Sequence, residues 1–163
     1  MEMIRQHTPD QKKEASELLF YEVTMLHELS CHMERLLNQN TIVGTAALEA
    51  FSVHAKVLHD FFYSEGAPDD VVIAQDFFES CDDWNRVRTE EPRLLQLAAR
   101  RIGEHLAKFT YDCHEVVPLL KGWDYCEIAT EIRDAFEKFV KAVPEKYLGP
   151  HCSEFKHHDA AEL

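Results

Sequence analysis

The chain has 163 residues, 45% of them hydrophobic, with five glycines, six prolines and a formal net charge of −13. That length and apolar content suit one folded domain with its own core and exclude a disordered chain. The acidic balance disfavours RNA, DNA and anionic membranes as partners, since all three ask for a basic surface.

The first helical pattern opens at Thr8-Pro9-Asp10-Gln11, where threonine stands as N-cap, proline as first helical residue and glutamine as the capping-box partner. It runs to about Leu37 with the inward stripe Leu19, Glu22, Leu26, Leu29, Met33 and Leu36. The turn Asn38-Gln39-Asn40-Thr41 is short, so the second helix is expected to return antiparallel to the first. This second helix spans about Thr45 to Tyr63, facing Ala47, Phe51, His54, Leu58, Phe61 and Phe62 inwards. Residues 65–91 form a long connection, too apolar from Val71 to Phe78 for a solvated linker and carrying a capped turn at Ser80-Cys81-Asp82-Asp83-Trp84. A third helix starts near Thr89 and fades before Pro118. A fourth starts at Asp124, with Glu127 in the capping-box position and Ile128, Ile132, Ala135, Phe136, Phe139 and Val143 inwards, and stops at Pro144. From Tyr147 the chain reads as a polar, mobile tail. The expectation is an all-α, single-domain, antiparallel four-helix bundle with its core over about residues 8–146, a partly ordered connection between helices two and three, and a tail over 147–163.

Five widely spaced cysteines without a Cys-x-x-Cys pair read as reduced structural thiols, which fits a cytoplasmic protein. Met1-Glu2-Met3-Ile4-Arg5 lacks the apolar core of a signal peptide, and no run approaches the length of a membrane span.

Three polar residues intrude on the apolar stripes: Glu22, His54 and His105, the last in the series Leu95, Ala98, Ile102, His105, Phe109. With helices one and two antiparallel about residue 40, His54 falls about one turn from Glu22, close enough for a hydrogen bond. Its commonest use is a satisfied polar pair that fixes helix register. Two other uses compete. One is a metal site of two histidines and a carboxylate (Glu22, His54, His105), although the Glu-x-x-His pairs of carboxylate-bridged bundle sites are absent and no metal or other cofactor is expected. The other is catalysis at Arg100 and His105. His27 and His32 sit five residues apart, as do His54 and His59, so neither pair shares a helical face as zincin chemistry requires. His151-Cys152 with His157-His158 would chelate a metal only adventitiously. Cys31-His32 and Cys113-His114 point their side chains about 100° apart on a helix and make no thiol–imidazole pair. The aromatic residues Phe61, Phe62, Tyr63, Phe77, Phe78 and Trp84 read as core.

An all-helical chain carrying Arg100-x4-His105 resembles the HEPN superfamily. That resemblance implies a usually dimeric helical bundle and, among its members, metal-independent ribonucleases of toxin–antitoxin and phage-defence systems. By analogy His105 would serve as general acid or base at a ribose 2′-hydroxyl and Arg100 would hold the phosphate charge. Arg101 stands where the family often has Asn, Asp or His. The segments 48–63 and 105–111 also look like a group of bacterial helical proteins to which no activity is attached. The function expected is a binding or interaction module, homodimeric or bound to a protein partner, with an RNase and a metal-binding bundle as alternatives.

Overall fold

A computed structural model describes residues 7–39, 41–68, 70–105 and 122–158, apart from the side chains of Cys81 and His105. The regular structure of the described residues is all helical, without strands: α1 (Pro9–Asn38), α2 (Ile42–Tyr63), α3 (Cys81–Val87), α4 (Arg93–His105), α5 (Tyr125–Ala142) and α6 (Pro150–His157), with 3-10 turns at Ala74–Phe77 and Glu145–Tyr147.

The helix starts follow from local chemistry. At α1 the capping box is reciprocal: Gln11 N–H donates to Thr8 Oγ1 at 3.2 Å, and Thr8 N–H to Gln11 Oε1 at 2.9 Å. Thr41 Oγ1 takes the N–H of Gly44 at 3.2 Å and so caps α2. Ser80 accepts from Asp82 N–H at 3.3 Å to start α3, and Asp124 from Glu127 N–H at 2.9 Å to start α5. Each cap satisfies a donor that the first helical turn leaves without an intrahelical acceptor. The helix expected third in the sequence is α4, and it begins four residues later than Thr89, because Pro92 precedes Arg93 and its carbonyl accepts from Gln96 N–H at 2.9 Å. The expected course of this helix from residue 106 to before Pro118 lies outside the described residues.

By internal packing the chain divides into two compact units. One comprises residues 1–21, 60–90 and 133–163, the other 22–59 and 91–132. In the first, α3 carries Trp84, which is fully buried. Its ring lies 5.7 Å from Phe139, 5.9 Å from Phe78 and 6.0 Å from Phe62, and its indole N–H donates to the Phe62 carbonyl at 2.9 Å. Phe77 packs edge-on against Phe61 and Phe139. Ile73 to Phe78 is buried as the sequence predicts, while Val71 and Val72 stay exposed. Asp76 in that buried turn accepts the Ile73 N–H at 2.9 Å, which removes the cost of an unpaired carboxylate oxygen there.

Where the sequence predicts a mobile tail, residues 150–157 form helix α6 with Leu148 and Cys152 buried. Pro150 sits in its first turn, the position where a proline's missing N–H costs nothing. Gly149 N–H donates to Ser16 Oγ at 2.8 Å, and the Cys152 thiol donates to the Ser16 carbonyl at 3.1 Å. Phe155 packs on Phe136 with centroids 5.0 Å apart.

In the second unit the buried residues include Leu26 and Met33 of α1, Leu48, Phe51, Ala55 and Leu58 of α2, Leu95, Ala98 and Ile102 of α4, and Ile128 and Ile132 of α5. Close approach of α1 and α2 is set at Gly44. A β-carbon there would fall 2.5 Å from the Leu36 carbonyl oxygen, a backbone atom that cannot rotate away.

Candidate functional site

Glu22 and His54 meet. Glu22 lies at the gap between buried Leu19 and Leu26 on α1, and His54 lies between buried Phe51 and Leu58 on α2. Glu22 Oε2 and His54 Nδ1 are 2.6 Å apart, with the two side chains 17% and 15% exposed. This geometry has the imidazole N–H donating to the carboxylate, so both groups are satisfied where water has little access.

A second pair of the same chemistry lies on α2. His59 Nε2 is 2.5 Å from Glu91 Oε1, and Glu91 Oε2 accepts from the Gln96 amide at 2.9 Å. From the sequence His59 presents itself only as half of a failed zinc-ligand spacing with His54, and its pairing with Glu91 is unforeseen. Nothing local announces it, because Glu91 sits 32 residues away in the long connection. His54 and His59, five residues apart on α2, thus turn to different helical faces and to different carboxylates, as the spacing predicts.

Arg100 stands on the outer face of α4 with its side chain 75% exposed, and its Nε donates to Glu104 Oε1 at 3.0 Å, one turn along the same helix. His105 is the last residue of α4 among those described, and its side chain lies outside them, as do Phe109, Cys113 and His114. Of the expected cluster, then, Glu22 and His54 come together and the third member is outside the described residues. Among the described residues no group of three or more His, Cys, Asp or Glu is placed to hold a metal ion.

The thiols divide by environment. Cys31 and Cys126 are free and exposed, and both line an open groove of about 560 Å³ with Ser30, Glu34, Trp123 and Tyr125. Cys31 Sγ lies 3.9 Å from His27 Nε2, a pairing at one helical turn that adjacent Cys31 and His32 do not offer. Burial pushes the Tyr125 hydroxyl up to about 12; its ring stands edge-on to Phe51 at 5.1 Å. Cys152 is buried, and that burial, helped by the negative charge of Glu17, pushes its thiol up to about 12. It is a structural thiol and no nucleophile.

His151, expected as a tail residue, is anchored twice by Glu17: its backbone N–H donates to Glu17 Oε1 at 3.0 Å, and its Nδ1 faces Glu17 Oε2. That hydrogen bond, with the carboxylate charge, raises its pKa above the ordinary imidazole value. The legible signal was Gly149-Pro150, a helix-start dipeptide followed by Cys152 and Phe155 at helical spacing.

Comparison with known proteins returns nothing. No family model matches the chain, and neither a curated protein nor a solved structure matches it. Among the described residues no helix is long and apolar enough to cross a membrane.

Proposed function

We propose that this chain is a helical interaction module, arranged as an antiparallel four-helix bundle, in which the imidazole–carboxylate pairs serve architecture and the binding is done by outward helix faces. The observation that carries this reading is the 2.6 Å contact between Glu22 and His54. Each is the other's partner, on two helices that must stand in one register for the pair to form, and this is the use of a buried polar pair with the fewest further requirements. Arg100 supports it from the other side. A phosphate-binding arginine works through its free guanidinium, whereas this one spends its Nε on Glu104 on an exposed helix face.

The HEPN resemblance enters here as a proposal about kinship of fold, without the nuclease activity. The competing proposal, an RNase using Arg100 and His105, is separated by one assay. Purified chain is incubated with structured and single-stranded RNA, with Arg100→Ala and a buffer blank alongside. The module reading expects cleavage at the blank level in both proteins. Cleavage by the wild type that disappears in Arg100→Ala, a substitution at an exposed residue with no core to disturb, would overturn it. Cleavage that Arg100→Ala leaves unchanged points to a contaminating enzyme and leaves the module reading standing.

A further inference from the structure

The start of α5 faces the last turns of α1 across the open groove of about 560 Å³, and both walls belong to the second compact unit. A cleft of that size takes a small organic molecule. Trp123 stands partly buried in its wall. Among the described residues its ring has no aromatic neighbour and its indole N–H has no acceptor. Trp84, by contrast, packs on three rings and spends its N–H on a carbonyl. An aromatic ring that internal packing leaves unused in a concave wall offers a flat, electron-rich face.

The charge of the groove is one-sided. Of the ten residues that line it, only Glu34 and Asp124 belong to the Asp, Glu, Lys, Arg and His types. Of the basic residues beside the lining in sequence, Arg35 is not part of it and Lys121 lies outside the described residues. Tyr125 adds no charge near neutral pH, since burial pushes its hydroxyl up to about 12. Asp124 Oδ1 is engaged in capping α5, which offsets the positive end of that helix. Glu34 makes no hydrogen bond or ion pair among the described residues. Leu37 and Asn38 bring the end of α1 to the same wall, where carbonyls without intrahelical donors add partial negative charge.

We propose that this groove binds a small organic cation of the amidinium or guanidinium class, its charged end on Glu34 and its flat body on Trp123. A planar cation of this class pairs two N–H groups with one carboxylate and stacks on an aromatic face, which a compact ammonium does less well. The inference goes beyond the module reading and does not depend on it.

The test uses benzamidine, with neutral benzamide of nearly the same shape as control, in about 0.15 M salt to screen distant charges. The chain has two tryptophans, so its ¹⁵N-labelled form shows two indole N–H signals, and Trp123→Leu identifies the one in the groove. Benzamidine is expected to shift the Trp123 signal saturably, with a Kd of about 1 mM for so small a ligand in an open site, and to leave Trp84 unmoved. Benzamide is expected to bind at least about tenfold more weakly. Glu34→Gln, at an exposed position, should weaken benzamidine at least about threefold with an unchanged thermal melt. Glu28→Gln, on the same helix but outside the lining, should leave the affinity as it was. The proposal is overturned by a Trp123 signal that does not saturate, by benzamide binding equally well, or by indifference to Glu34→Gln. Equal shifts at both tryptophans also overturn it, since they report no site. None of these outcomes bears on RNA cleavage, so the module reading stands or falls by its own assay.

Discussion

His54 on α2 holds Glu22 on α1 through a direct 2.6 Å contact between two side chains that are each more than four-fifths shielded from water. Removing either one leaves the other without this partner. His54→Ala and Glu22→Ala are each expected to cost about 1–3 kcal/mol. At about 2–4 °C per kcal/mol for a chain of this size, the melting temperature should fall by roughly 2–12 °C. Replacing both by leucine should recover part of the loss, since no polar group is then stranded. A thermal-melt double-mutant cycle reads the coupling directly. Additive losses would mean that the pair contributes nothing as a pair.

Trp84 gives a larger effect. It is fully buried among Phe62, Phe78 and Phe139 and its indole N–H is spent on the Phe62 carbonyl. Trp84→Ala is expected to cost about 3–5 kcal/mol, read as a drop in the urea midpoint. Trp84→Phe keeps most of the packing and loses the hydrogen bond, so its cost should be clearly smaller. Equal losses from the two variants would place the weight on the hydrogen bond instead of the ring contacts.

The hold of α6 on the rest of its unit should depend on pH from both sides. His151 is raised above its ordinary 6.5 by the hydrogen bond and charge of Glu17, so its contribution is whole below 6.5 and is lost as pH rises through the raised value. Glu145 is lowered beneath its ordinary 4.5, first by the Ser153 hydrogen bond and then by His157 and Lys156. Its contribution is whole above 4.5 and is lost as pH falls through the lowered value. Docking should therefore be firmest between 4.5 and 6.5. Protection of the buried Cys152 against a disulfide reagent that works in acid, located by mass spectrometry and referred to the unfolded chain, should be greater at about pH 5.5 than at about pH 8.5. Glu17→Ala should flatten the alkaline arm. A pH-independent protection in the wild type would remove His151 from the account.

Cys31 and Cys126 supply the contrast within the same experiment. Both are exposed, so they should be labelled before Cys152. Early labelling of Cys152 would mean that α6 opens on the timescale of the reagent.

Periodicity and caps carried most of what the sequence could say. Thr8 with Gln11, Ser80 and Asp124 each mark a helix start that their hydrogen bonds reproduce, and Glu22 with His54 followed from a short turn and 1.5 Å per residue. The pairing of His59 with Glu91 did not follow, because its geometry depends on the course of the connection, which no local rule determines. Helix α6 was missed for another reason. Its polar residues look solvent-bound, yet Ser16 and Glu17, over 130 residues earlier, supply partners that composition does not reveal.

Gly44 bears on how this chain tolerates change. With the Leu36 carbonyl oxygen 2.5 Å from where a β-carbon would stand, every other residue type is excluded unless the α1–α2 hairpin opens. Gly66 and Gly122 have nothing within 4 Å of that point. In a saturation library selected for folding, codons at 66 and 122 should drift freely while position 44 stays monomorphic, so the strictest spelling in the hairpin falls on the residue that contributes no side chain to it.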